Sequence, residues 1–349
     1  MYSVGIIGAT GAVGTEMIRV LEERHFPISE LHLYASAGSV GRRLNVGTGS
    51  VAIEALTAES FSGLDIALFS AGSSITRQWR EAARAAGCII IDNSSAYRMD
   101  ADVPLVIPEI NGDALATGDP ALEVIAVPNC STIILLMAVA PLRKLGKIRR
   151  IVVSTYQAVS GAGAKAMDEL NEQARAYLEG ETLSPKVLPH EIAFNLFVHN
   201  TPINEAGYNG EEWKMIQETK KILDDDSIAV TATCIRVPIF RAHSESINVE
   251  FAGERPTVEA IRAVLADFPG VRVVDDRERN LFPMPKDAAG GDDVLVGHIR
   301  HDVSNPKAID LFASGDQLLK GAALDAVQIA EELVRRKLIR PKRSGPVAV

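Results

Sequence analysis

The stretch YSVGIIGATGAVGTEMIRVLEER (residues 2–24) decides the fold. A short apolar strand enters a glycine-rich turn and leaves it as an amphipathic helix. Gly8, Gly11 and Gly14 form G-x-x-G-x-x-G at that junction. Glycine lets the backbone turn tightly and approach a pyrophosphate, whose charge then rests on the helix N-terminus. A tight turn with no ligand fits the same three glycines. Their place at the first strand–helix junction favours a nucleotide.

Working outward, LHLYAS (31–36), DIALFSAG (65–72) and GCIIIDNSS (87–95) are further apolar strands, with helical ITRQWREAARAA (75–86) between the last two. Continuous apolar strands alternating with helices imply a parallel sheet covered on both faces, a Rossmann-type half. After residue 130 the texture changes. RRIVVSTYQAV (149–159), SIAVTATCIRV (227–237), SESINVEFAG (244–253) and DDVLVGHIRHD (292–302) are longer, alternating strands. They predict a second, α+β, mostly antiparallel domain with one face exposed or joined to a partner. The expected division is residues 1–129 for the nucleotide half and 130–315 for the catalytic and dimerisation half. SGDQLLKGAALDAVQIAEELVRRKL (314–338) reads as one long amphipathic helix, whose 316–338 portion is expected to pack back on the first domain. The tail RPKRSGPVAV (340–349) reads as disordered.

The second strand ends in YASAGSVGRR (34–43), without the acid that usually meets a ribose 2′-hydroxyl. It carries Ser36, Ser39, Arg42 and Arg43 instead. Hydroxyl and guanidinium groups suit a 2′-phosphate, so NADP is expected over NAD. Solvated loop charges are the alternative for the two arginines.

The chain has 349 residues, a net charge of −9 and an ordinary globular composition. That charge argues against broad nucleic-acid binding. No apolar run approaches the roughly 20 residues of a membrane span, and residues 1–8 enter a strand without a leader pattern, so a cytoplasmic location is expected. Three cysteines without C-x-x-C spacing predict neither a disulfide framework nor a metal site.

In AVPNCST (126–132), Cys130 stands just before STIILLMAVAPLRKLG (131–146), a helix with a Ser or Thr to cap it and Gly146 near its end. A thiol at the positive end of a helix dipole is placed to become a thiolate. An inert core thiol fits the same spacing, and is the simplest reading for Cys88 and Cys234. A nucleophilic thiol needs a group to handle protons. Of seven histidines, His243 in FRAHSES is the best placed; His25, His32, His190, His199, His298 and His301 have no comparable setting.

Taken in order, GATGAVG (8–14), DNSSAYRM (92–99), PNCSTI (128–133), STYQAVSGAG (154–163), ATCIRVP (232–238) and RAHSES (241–246) resemble the aspartate-β-semialdehyde dehydrogenase family, over nearly the whole chain to DQLLKGAALDAVQIAE (316–331). The resemblance implies NADPH-dependent reduction of aspartyl phosphate to aspartate semialdehyde and phosphate, on the route to lysine, threonine and methionine, by a homodimer. It implies Cys130 as nucleophile, His243 as acid–base residue and Gln157 as the group holding substrate beside the thiol. Arg236 matches the ligand of the substrate α-carboxylate and Glu211 that of its ammonium. Lys214 and Arg98 match the phosphate ligands. Gly8, Thr10, Gly11, Ala12, Val13, Ser36, Ser39, Ser160, Gly161 and Gln317 fall at or beside the family's NADP contacts. Asn129 either helps hold the tetrahedral oxyanion or shapes the turn.

Two departures stand out. Gly38 replaces a family arginine that meets the 2′-phosphate, leaving Arg42 or Arg43 to compensate. The segment AYLEGETLSPKVLPHEIAFNLFVHN (176–200) matches only around IAFN and is given no site residue. Two alternatives remain: a related acyl-phosphate or acyl-CoA reductase, which the pair Arg236 and Glu211 disfavours, and a non-catalytic nucleotide-binding paralogue.

Overall fold

A computed structural model describes residues 1–116 and 123–342. The chain divides into two units, Met1–Pro128 with Ala322–Val349, and Asn129–Gly321.

The first unit is built on strands β1 (Tyr2–Ile7), β2 (Ile28–Tyr34), β3 (Arg43–Val46), β4 (Gly49–Glu54), β5 (Ile66–Phe69), β6 (Ile89–Asp92) and β7 (Val124–Ala126). Their order is β3-β4-β2-β1-β5-β6-β7, parallel throughout except for β3 against β4. All residues of β1, β5 and β6 are buried, as expected for central parallel strands covered on both faces. Helix Ala12–Glu23 turns Met17, Ile18, Val20 and Leu21 inward. Helix Ser73–Ala86 ends on Gly87 in the left-handed conformation that commonly closes helices.

The expected helix over 314–338 starts later. Residues to Gly315 continue a strand, a π turn spans Leu319–Ala323, and the α-helix proper runs Leu324–Arg335. It packs on helix Ala12–Glu23 and on β6. Of the tail, residues 343–349 lie outside the described residues. Lys342 just before them is held: its backbone N–H donates to Asp65 Oδ1 at 2.9 Å, and its Nζ to the carbonyls of Leu64 and Ala86. A lysine whose ammonium finds carbonyl partners stays ordered, which composition alone does not reveal.

The second unit holds β8 (Ile148–Gln157), β9 (Phe197–Val198), β10 (Ala229–Arg236), β11 (His243–Phe251), β12 (Val271–Val273), β13 (Val294–His301) and β14 (Ala308–Gly315), in the order β12-β13-β14-β11-β8-β10-β9. Four of its six pairings are antiparallel; β8–β10 and β12–β13 are parallel. Alternation sorts the side chains. On β11, His243, Glu245, Ile247, Val249 and Phe251 point to the buried face. Helix Cys130–Val139 is apolar all round, with Ser131–Val139 buried against β11, β13, β14 and helix Gly210–Leu223. Among the described residues no helix is long and apolar enough to cross a membrane.

Candidate active site

Cys130 is the first residue of its helix rather than the residue before it. The cap is Asn129, not the expected Ser or Thr: its Oδ1 accepts from Ser131 N–H at 3.0 Å and Thr132 N–H at 3.3 Å. Asparagine is a strong N-cap because its short carbonyl reaches these otherwise unpaired amides. Its other groups are also engaged. Its backbone N–H donates to Glu218 at 2.6 Å and its Nδ2 to Glu211 Oε1 at 2.7 Å. Asn129 therefore does shape the turn, and ties it to a carboxylate as well.

Glu211 gathers the polar groups around it. Gln157 Nε2 donates to Glu211 Oε1 at 3.2 Å and to Ser131 Oγ at 2.8 Å, so the amide lies beside the residue after the thiol. Lys214 Nζ reaches Glu211 Oε2 at 3.1 Å. Burial pushes the Glu211 pKa up. Lys214, His199 and the Asn129 hydrogen bond outweigh it and bring the carboxyl down to about 2.

Register places the next groups. Arg236 on β10 lies opposite Gln157 on β8, and His243 opens β11 on the far side of β8. Arg236 Nη1 donates to the Ala158 carbonyl at 2.5 Å, while Ala158 N–H donates to His243 Nδ1 at 3.0 Å. That second bond assigns the proton of the neutral imidazole to Nε2, since Nδ1 acts as acceptor. Burial, then repulsion from Arg236, lowers the His243 pKa to about 3. Gly161 closes this corner. A methyl group in place of its hydrogen would come within 3.3 Å of His243 Nε2 and 3.2 Å of Arg236 Nη1.

In the first unit, the Gly8–Val13 turn is equally constrained. Gly8 has φ +94°, and a side chain there would press on the Ser70 carbonyl; one at Gly14 would strike the Gly8 carbonyl. Gly8 N–H and Ala9 N–H both donate to the Tyr34 carbonyl at the end of β2, which brings the Ser36–Ser39 loop beside the turn. Helix Ala12–Glu23 has no side-chain cap. An uncapped N-terminus behind a close-packed glycine turn fits a dinucleotide pyrophosphate.

Family models for two consecutive regions match the chain: "Semialdehyde dehydrogenase, NAD binding domain" over residues 3–118 and "Semialdehyde dehydrogenase, dimerisation domain" over residues 139–320. The aspartate-semialdehyde dehydrogenase of Synechocystis sp. is 51% identical over 333 residues, covering 95% of this chain and 97% of its own. That of Prochlorococcus marinus is 49% identical over 334 residues, covering 96% of each. The chain belongs to the aspartate-semialdehyde dehydrogenase family. Among solved structures, aspartate semialdehyde dehydrogenase II of Vibrio cholerae, complexed with ASA, superposes with TM-score 0.92 at 41% identity, over 96% of this chain and 98% of that one. Family membership makes this chain an oxidoreductase of the aldehyde-acting kind with a nicotinamide-binding half.

Of the residues that the resemblance implies, Asn129, Cys130, Gln157, Gly161, Glu211, Lys214, Arg236 and His243 lie together in the second unit. Arg98 lies in the first unit, where its Nε and Nη2 donate to the carbonyls of Val127 and Asn93 at 2.9 and 2.8 Å. Arg43 is engaged by Ser50, with its Nε on the hydroxyl at 2.8 Å and its Nη2 on the carbonyl. Of the two loop arginines, Arg42 is the better candidate for a 2′-phosphate. Gln317 is 2% exposed, and its amide is used by the protein: Oε1 accepts from Ala242 N–H at 2.9 Å and Nε2 donates to Ser160 Oγ.

Sequence reasoning set His199 aside, yet Arg236 Nη2 lies 2.9 Å from its Nε2. His199 N–H also donates to the Cys234 carbonyl. The short strand β9 just before it carries no recognisable pattern, so only the three-dimensional pairing of β9 with β10 reveals it. Glu245 was missed too. Period-two alternation places it with Ile247 and Val249 on the buried face, and that signal was legible.

Proposed function

We propose that this chain converts L-aspartyl-4-phosphate to L-aspartate 4-semialdehyde and phosphate with NADPH, through a thioester on Cys130. One observation carries the reading. A thiol at a helix start shares a network with an amide, an anionic carboxylate, an ammonium group and a guanidinium beside a histidine.

The Cys130 thiolate attacks the acyl carbon, the bond to the phosphate oxygen breaks, and phosphate leaves with the electron pair. Arg98 and Lys214 neutralise it. NADPH held at Gly8–Val13, Ser36 and Ser39 would supply the hydride that reduces the thioester carbon to a thiohemiacetal alkoxide. Cleavage of the C–S bond then returns the thiolate and frees the aldehyde. His243, with its proton on Nε2, donates a hydrogen bond to the oxygen that gains charge, and backbone N–H groups at the start of the Cys130 helix reinforce it. The planar fork of Arg236 suits a carboxylate, and anionic Glu211 an ammonium, which together select an amino-acid substrate.

The same reading makes the protein a cytoplasmic homodimer joined through its second unit, supplying precursor for lysine, threonine and methionine. The homodimer is supported by the family description, a dimerisation domain over residues 139–320, and by a sheet face opposite the site on which Tyr156 and Phe312 pair at 6.3 Å beside exposed Ser246.

The test is phosphate-dependent reduction of NADP with aspartate semialdehyde, run beside N-acetylglutamate semialdehyde and an acyl-CoA as competing substrates. Wild type should turn over the first alone and Cys130→Ala should be inactive. Turnover by the mutant rejects the thioester.

A further inference from the structure

We infer that His199 is the positioning residue of Arg236, orienting its guanidinium toward the α-carboxylate of the substrate; this rests on the function proposed above. His199 lies beyond IAFN, in the stretch that the family motifs leave uncovered.

Backbone pairing delivers the imidazole. Phe197 lies opposite Arg236 and Val198 opposite Ile235 in an antiparallel pair, and the His199 N–H donates to the Cys234 carbonyl at 2.8 Å. Opposite residues of such a pair share a face, so His199 emerges on the Arg236 face, one diagonal step away. Long side chains span that step, and Arg236 Nη2 meets His199 Nε2 at 2.9 Å. Arginine keeps its protons, so the imidazole accepts. His199 is therefore neutral with its proton on Nδ1, the reverse of His243. Burial, the largest influence, lowers its pKa. Glu211 and Glu212 oppose this, Arg236 and Lys214 reinforce it, and the lowering prevails.

The guanidinium is thus held from both sides. Nη1 donates to the Ala158 carbonyl at 2.5 Å and Nη2 to His199, so each terminal nitrogen keeps one further N–H. Two N–H groups on neighbouring nitrogens form the fork that a carboxylate takes bidentately. Without His199, Nη2 loses its anchor and the fork can swing about the Ala158 bond. The same segment reaches the group proposed for the ammonium. Thr201 Oγ1 accepts the N–H of Glu211 at 3.1 Å, and a methyl group on Gly210 would stand 3.3 Å from Thr201 Cβ. Residues 199–201 therefore lie against both groups proposed to recognise an α-amino acid.

The experiment compares full-length wild type with His199→Leu and His199→Gln, assayed with aspartate semialdehyde, phosphate and NADP. Leucine removes the acceptor, and the glutamine carbonyl replaces it. His199→Leu should raise KM for aspartate semialdehyde at least about tenfold, the order expected when a hydrogen bond to a charged group is lost. Its kcat, and its KM for phosphate and for NADP, should stay within about threefold, the mark of lost substrate binding rather than lost chemistry. His199→Gln should bring the raised KM back to within about threefold of wild type. An unchanged KM in His199→Leu overturns the inference. So does a loss spread equally over kcat and all three KM values, which marks a merely structural residue. Should His199→Leu fail to fold, His199→Asn, whose shorter amide stops short of Nη2, must show the same selective rise, and no rise there also overturns it. An inactive wild type would defeat the proposed reaction, and the imidazole would still decide the inference. In cofactor-free protein labelled with 15N-histidine at neutral pH, the His199 ring, assigned by its loss in His199→Gln, should be neutral with its proton on Nδ1. A proton on Nε2, or a charged ring, overturns it.

Discussion

Asn129 Nδ2 and Glu211 Oε1 lie 2.7 Å apart, and the same asparagine caps the helix that begins at Cys130. One side chain therefore couples the helix of the proposed nucleophile to the carboxylate proposed for the substrate ammonium. Asn129→Ala should cost about 1 kcal/mol of stability through the lost cap. Asn129→Asp should keep the cap and the melting temperature, yet lower kcat/KM by about tenfold or more, because a second anion beside Glu211 displaces its partners. Thermal melts with steady-state kinetics separate the two effects; equal kcat/KM in wild type and Asn129→Asp would show that the contact does not matter to turnover.

The three thiols should be chemically distinct. Burial pushes Cys88 up to about 12 and raises Cys234 as well, while Cys130 is half-buried at a helix start. Iodoacetamide at pH 8 should label Cys130 at least about tenfold faster than the other two, by peptide mass spectrometry. Comparable labelling of all three contradicts an activated thiol.

His243 makes the fold sensitive to acid. Its pKa is about 3 in the folded protein and near 6.5 in an unfolded chain, so between these values only the unfolded chain binds the proton. Stability should fall on acidification through that window, by up to about 1.4 kcal/mol per pH unit. Glu211, lowered to about 2, adds loss of the same sign below about 4.5. Urea melts of His243→Asn between pH 6.5 and 4.5 should show a shallower slope than wild type. An unchanged slope would mean that the folded state protonates this imidazole.

Glu245 has the opposite sign. It is fully buried on β11 between Thr155 on β8 and Ala313 on β14, with neither oxygen hydrogen-bonded, and burial raises its pKa well above the usual carboxyl value. The folded state keeps a proton that the unfolded chain loses above about 4.5, so stability falls as pH rises. Glu245→Gln should raise the melting temperature more at pH 8 than at pH 5. A uniform change across pH would indicate packing alone.

Gly38 faces open space, with nothing within 4 Å of a side chain built there. Gly38→Arg should be accommodated without loss of stability, and should raise the preference for NADP over NAD by about tenfold, the worth of one guanidinium–phosphate pair. Fluorescence titration with both dinucleotides measures it. Equal affinities in wild type would also remove the role given to Arg42.

The periodic parts of this molecule could be read from residues 2–24 and the apolar runs after them, because strand and helix leave a spacing in the chain. Cys130 was legible for the same reason: it stands where a strand ends and an all-apolar helix begins. What escaped depends on partners distant in sequence. His199 matters only because β9 pairs with β10, and Asn129 caps one helix while bonding another. Gln317, expected at the cofactor, has an amide that holds Ala242 and Ser160, partners that no spacing in the chain reveals. The expected 25-residue terminal helix failed at its start, since SGDQLLKGAA (314–323) has helical composition but is claimed first by β14 and then by a π turn.

Helix Leu324–Arg335, packed on the first helix of the chain, gives the nucleotide half a late birthday. On a translating ribosome, residues 1–128 emerge early but lack their covering helix until all of Asn129–Gly321 has been made. At about 5–20 residues per second that interval is roughly 10–40 s. During it the newborn sheet shows an apolar side to every chaperone and every neighbouring nascent chain, so the catalytic half is the first able to finish folding.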